Sequence, residues 1–134
     1  SITDSQVDTK LASLLDDVAD VKYVLPQKIF IATLATKSSK HTTLVRGVED
    51  IQTFLNVRNS YVKGAVANAS EMQADVGEVL ARLASVHVGD EVSVTVGGRF
   101  FKVKVVGIVK TLTQSDTELI IPMKTANHLS TLRL

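Results

Sequence analysis

Residues 88–109 read Val88-Gly89-Asp90-Glu91-Val92-Ser93-Val94-Thr95-Val96-Gly97-Gly98-Arg99-Phe100-Phe101-Lys102-Val103-Lys104-Val105-Val106-Gly107-Ile108-Val109. Val92, Val94 and Val96 alternate with Ser93 and Thr95; beyond Gly97-Gly98, Phe101, Val103 and Val105 alternate with Lys102 and Lys104. Successive strand side chains point to opposite faces, and glycine supplies the positive φ of a two-residue turn, so the pattern predicts an antiparallel hairpin with one buried face. Burying one such Val or Phe contributes about 1.5–3 kcal/mol, so this face, more than hydrogen bonding, sets the register. Gly89-Asp90 reads as the tight turn leading into the hairpin, and Gly107 as a bulge or bend in a run otherwise suited to a strand.

C-terminal to the hairpin, residues 119–121 predict a final strand ended by Pro122, and residues 125–132 a helix or helical turn. On the N-terminal side the pattern is ambiguous. Met72, Val76, Val79, Leu80 and Leu83 fit one continuous helix capped by Ser70, while the alternative, a strand over residues 73–76, is poor in β-branched residues. Ala81 is small where a helix must approach a sheet closely. Residues 56–70 have no clean period and read mostly as loop. Before them, Glu49 and Asp50 precede Ile51, Phe54 and Leu55, which share a helical face; residues 28–36 and 42–46 read as strands joined by a hairpin across the polar residues 37–41. Residues 21–25, ended by Pro26, read as a further strand. A first helix is predicted from Val7, Leu11, Leu14, Leu15 and Val18, with Thr3 and Gln6 in a capping-box pattern. The expected fold class is α+β: a mixed β-sheet with helices packed on one face, containing the C-terminal β-hairpin.

The 134 residues, 45% hydrophobic, suit one domain over residues 1–134. Lys plus Arg number 15 against 14 Asp plus Glu, so no charge excess exists to attract nucleic acid or an anionic membrane over long range, and nucleic acid is not an expected partner. Without cysteine, neither disulfides nor thiolate chemistry is available. The longest apolar stretch, residues 29–35, is far short of the roughly 20 residues that span a bilayer. The chain opens at Ser1 without an initiator Met and is read as a piece excised from a longer chain or as a processed product.

Candidate chemistry is sparse. Asp16, Asp17 and Asp20 have a spacing that chelates magnesium before a diphosphate in prenyl-transfer enzymes, but that chemistry needs a large all-helical cavity, and a solvated helix end accounts for the acids. His41, His87 and His128 are scattered and lack any metal or triad spacing. Val96-Gly97-Gly98-Arg99 lies between two strands, so no helix N-terminus there could hold a phosphate. Arg99, Lys102 and Lys104 beside Phe100 are the polar positions of an amphipathic hairpin, not a nucleic-acid stripe. Asn68-Ala69-Ser70 is a glycosylation sequon on a predicted loop. A small hydrolase would need a cavity gathering Ser85, His87 and Asp90. No cofactor and no enzymatic activity are expected.

Several stretches nevertheless share an order with a known family. Residues 76–83, with Gly77, Glu78, Leu80 and Ala81 in "VGEVLARL", precede "VGDEV" with Gly89 and Asp90, a hairpin, and then "VVGI" with Gly107. Residues 118–126, "ELIIPMKTA", follow with Pro122; earlier, residues 18–26 and 45–48 carry "V..V.P" and "V.GV" steps. This order resembles the extracytoplasmic core domain of FtsX/MacB-type ABC transporter permeases. The resemblance implies a soluble domain on the extracytoplasmic side of the cell membrane that binds substrate or partner and transmits ATP-driven motion. It further implies an ABC nucleotide-binding subunit reached through the membrane part of the parent, with a second permease copy or an extracytoplasmic protein as further partner. Gly77, Glu78, Leu80, Ala81, Gly89, Asp90, Gly97, Gly98, Gly107 and Pro122 are its expected motif residues, with structural roles. The alternative reading is a free-standing β-rich ligand- or protein-binding module.

Overall fold

The computed structural model describes residues 26–131. The predicted first helix, the predicted strand at 21–25 and the Asp16, Asp17 and Asp20 group lie outside the described residues. The elements run β1 (Gln27–Ala35), β2 (Lys40–Val48), α1 (Ile51–Val57), β3 (Tyr61–Gly64), β4 (Gln73–Gly77), α2 (Glu78–Ala84), β5 (Glu91–Val96) and β6 (Arg99–Lys110). A single 3₁₀ turn (Gln114–Thr117), β7 (Leu119–Pro122) and α3 (Met123–Ser130) complete them.

The strands pair in the order β3-β6-β4-β7-β2-β1-β5, and β5 pairs back onto β6. Six strands therefore close into a barrel-like ring, with β3 attached outside it on β6. Two hairpins supply most of the wall. β1 and β2 pair along their full length, from Gln27 opposite Val48 to Ala35 opposite Lys40. β5 and β6 pair from Glu91 opposite Lys104 to Val96 opposite Arg99, and Gly97 and Gly98 turn between them with φ of +54° and +79°. Closure depends on β5, which also pairs with β1 at Thr33, Leu34 and Ala35.

Alternation along β7 separates two cores. Leu119 and Ile121 point into the ring with Leu34, Val45, Val76 and Val94, all buried, and this cluster also takes Leu80, Ala81 and Ala84 of α2 and Ala126 and Leu129 of α3. Ile120 points the other way and packs with Val48, Val109 and the α1 residues Ile51, Phe54 and Leu55. Asp50 caps α1 by accepting from the Thr53 amide at 3.1 Å. The sheet is mixed and the fold α+β, but the expectation of helices on one face is corrected: α1 covers the outer side of the wall, while α2 and α3 join the inner cluster. Ring closure leaves no single open face for all three, and Ile120 with Val109 needs its own cover.

The ambiguous residues 70–86 form a strand followed by a helix. β4 lies between β6 and β7, and this pairing outweighs its weak strand propensity. Gly77 ends it: its amide donates to the Glu118 carbonyl at 2.9 Å, and a Cβ there would collide with the backbone of Ser115 and Asp116. Leu83, on the apolar face of the continuous-helix reading, is instead exposed. The loop reading of residues 56–70 is corrected by β3, whose four residues pair antiparallel with β6.

Candidate functional site

The junction between β4 and α2 builds one side of a groove. α2 begins at Glu78, directly after Gly77, and ends at Ser85 in the left-handed conformation with φ of +54°. The Val86 amide closes the helix onto the Ala81 carbonyl at 2.8 Å. The other side is β3 on β6, where Tyr61 stands opposite Lys110 and Lys63 opposite Ile108. Opposed residues in a ladder share a face, and Ile108 packs against the inner cluster, so these four side chains lie on the side of the sheet that α2 covers. Ala81, Val86 and Ile108 floor a groove of about 510 Å³ whose rim includes Tyr61, Lys63 and Arg82. Tyr61 Oη and Glu78 Oε2 are 3.4 Å apart, and Arg82 lies 3.7 Å from Glu78 across one helical turn.

A second cleft, about 710 Å³, separates the β1–β2 turn at Thr36, Lys37 and Ser38 from the start of β5. The Gly89-Asp90 turn forms its wall. The Gly89 amide donates to the Val105 carbonyl at 2.7 Å, the Asp90 carbonyl accepts from the Val105 amide at 2.8 Å, and Asp90 Oδ2 accepts from the His87 amide at 2.8 Å. Asp90 is thereby committed to the turn. His87 Nδ1 lies 3.7 Å from Asp90 Oδ2, but the imidazole is exposed and no hydrogen bond links it to Ser85, so the grouping a hydrolase requires is not assembled. His41 contacts Ser39 and His128 packs edge-on against Phe101. Among the described residues no group of three or more His, Asp or Glu could hold a metal ion.

A third surface is the outer face of the ring. Thr42, Thr33, Thr95 and Phe100 stand opposite one another in successive pairs across β2, β1, β5 and β6, and Ile31 stands opposite Leu44 two residues along. Ile31 is 68% and Phe100 60% exposed.

The motif residues sit mainly at joints of this framework. Gly77, Glu78, Leu80 and Ala81 span the β4–α2 junction, with Leu80 and Ala81 buried and Glu78 on the groove. Gly89 and Asp90 form the turn before β5, Gly97 and Gly98 the hairpin turn, and Pro122 ends β7 opposite Val48 and precedes α3. At Gly107 the β4–β6 register shifts, so that Ala74 faces Val105 while Asp75 faces Gly107. The sequon Asn68-Ala69-Ser70 is exposed, with Asn68 Oδ1 accepting from the Ser70 amide at 2.8 Å.

Sequence reasoning missed the buried polar groups. Arg46 forms a two-point ion pair with Glu118, Nε to Oε1 at 2.7 Å and NH2 to Oε2 at 2.9 Å, and also donates to Gln27. Asp116 accepts from the Thr111 amide, the Thr111 hydroxyl and the Leu112 amide at 2.6–2.9 Å, holding Leu112 at φ +58° with its side chain 82% exposed. Asp75 is fully buried; Oδ2 accepts from the Ala67 amide at 2.8 Å, Oδ1 has no partner, and burial pushes the carboxyl up to about 6. The available signal was a charge flanked by apolar neighbours within a strand-like run, Arg46 after Val45 and Asp75 between Ala74 and Val76.

No family model and no curated protein matches the sequence. Solved structures do. The periplasmic region of MacB from Actinobacillus actinomycetemcomitans superposes with a TM-score of 0.59 at 18% identity, over 90% of this chain and 56% of that one. The extracellular domain of the noncanonic ABC-type transporter YknZ from Gram-positive bacteria gives 0.63 at 16% identity, over 89% and 64%. A "domain of a putative Permease protein" from Porphyromonas gingivalis gives 0.62 at 14% identity, over 92% and 56%. The described residues thus share the fold of a periplasmic MacB region, an extracellular domain of an ABC-type transporter and a permease-protein domain. The chain spans 56% to 64% of the length of these three structures.

Proposed function

We propose that this domain is the extracytoplasmic part of an FtsX/MacB-type ABC transporter permease, lying between two membrane helices of its parent. The observation that carries the reading is the fold likeness, which extends over about nine-tenths of the chain in three transporter domains. Among the described residues no helix is long and apolar enough to cross a membrane, so attachment would come from the parent. The domain works without chemistry of its own: it binds a substrate, a partner protein or a second permease copy through its surface, and the ATP cycle of a nucleotide-binding subunit across the membrane moves it. The closed β1–β2 and β5–β6 walls suit this role because a ring with buried cores on both sides of β7 moves as one body.

The closed ring also gives weight to a second reading, a free-standing β-rich binding module. The full reading frame separates the two. Hydrophobic spans of about 20 residues on each side of this segment support the permease, and a frame without them overturns it. Deleting the domain from the intact parent should abolish function while leaving the nucleotide-binding subunit assembled at the membrane; retained function refutes the proposed role.

A further inference from the structure

We propose that the groove between β3 and α2 docks an extended acidic segment of a partner polypeptide. The inference stands on the groove itself and holds whichever parent carries the domain.

Three features point to this occupant. The first is charge. Lys63 and Arg82 stand on the rim, and Lys110 lies on the same face because it is paired with Tyr61. Glu78, 3.7 Å from Arg82, is the single carboxylate on the rim, which leaves an excess of cations at a site whose chain as a whole is nearly neutral. Such a local excess selects an anionic partner and steers its approach.

The second feature is the floor. Ala81, Val86 and Ile108 offer apolar surface inside a concavity of about 510 Å³, large enough for one or two side chains. Tyr61, 57% exposed at the rim, combines a broad apolar ring with a hydroxyl, the kind of side chain that anchors interfaces. A flat anionic surface such as a lipid headgroup layer would leave this concavity unfilled.

The third feature is backbone. The Ala65 amide bonds to the Val106 carbonyl, and in an antiparallel ladder the bonded pairs alternate, so Lys63 and Tyr61 bond to β6. Val62 therefore turns its backbone groups away from β6, and among the described residues no strand pairs with that edge. An extended segment laid along β3 finds main-chain partners there and drops alternate side chains into the groove.

The test uses the 134-residue chain, labelled for amide spectroscopy, and two short synthetic peptides, one alternating Glu with Leu and one alternating Lys with Leu. The Glu peptide should move the amides of Tyr61–Gly64 and of residues 78–88, and its affinity should fall about tenfold when salt is raised well above physiological strength. Lys63→Glu should weaken it at least about tenfold and Arg82→Gln severalfold, each with Tm nearly unchanged. The proposal is overturned if the Lys peptide binds equally well, if the shifts fall elsewhere, or if neither peptide binds. Equal displacement of the same amides by phosphatidylglycerol vesicles, with no response to the Glu peptide, would assign the surface to membrane and likewise overturn it.

Discussion

The Asp75 carboxylate packs against Gly107 at the point where β4 and β6 slip register. A Cβ on Gly107 would collide with Asp75 Oδ1 and with the Ala65 carbonyl oxygen, and would lie 2.8 Å from Val62 Cγ1. Gly107 thus lets a buried acid, the loop carrying Ala65 and the edge strand β3 converge on one place.

Gly107→Ala should therefore destabilise the domain by about 2–4 kcal/mol, because backbone and a buried side chain would all have to move. Gly97→Ala and Gly98→Ala meet open space and carry only the strain of positive φ, on the order of 1–2 kcal/mol each. Urea unfolding of the three variants measures the difference; an equal loss at all three would show that Gly107 is not a packing constraint.

Asp75 makes stability depend on pH. Its carboxyl is raised by desolvation from an ordinary 3.8 to about 6 in the folded protein, opposed by the bond from Ala67. The folded state therefore holds the proton more tightly than the unfolded chain. The resulting stabilisation is complete below about pH 4 and is lost as pH rises through about 6. Asp75→Asn keeps an acceptor for Ala67 and removes the charge, so it should gain on the order of 2–3 kcal/mol at pH 7.5 and nothing at pH 4. A gain that does not vary with pH, or a loss at pH 7.5, would contradict this account.

Arg46 and Glu118 are both buried and bond at two points. Removing one partner strands the other charge, so Arg46→Met or Glu118→Leu should each cost about 3–5 kcal/mol, whereas the two substitutions combined should cost less than the sum. Thermal melts of the two single variants and the double close the cycle. Additive losses would mean that the pair does not act as a unit.

Val94 is buried in the ring and its neighbour Thr95 lies on the outer face. Val94→Asp should unfold the domain, since an unpaired buried carboxylate costs several kcal/mol, while Thr95→Asp should leave Tm nearly unchanged. Matching melting temperatures would refute the register.

Legibility followed periodicity. The β5–β6 hairpin was readable because Val92 and Val94 alternate over a two-glycine turn, and α1 because Ile51, Phe54 and Leu55 follow a capping acid. β4 was not readable from its own residues: Ala74, Asp75 and Val76 become a strand through pairing with β6 and β7, which no local pattern encodes. Ring closure was hidden for the same reason, since it rests on Thr33, Leu34 and Ala35 meeting residues about sixty positions away in β5. β3 escaped because four residues ending at Gly64 are too few to show alternation. The groove depends on both, as α2 reaches β3 only once β4 and β6 are adjacent.

The central claim, that this fold works outside the membrane as part of a permease, is tested most directly by labelling. The chain contains no cysteine, and Ser38 is exposed in the β1–β2 turn. With Ser38→Cys placed in the full-length parent, a membrane-impermeant maleimide should label this position in intact cells as fully as in lysed ones. Labelling that appears only after lysis would place the domain on the cytoplasmic side and contradict the account.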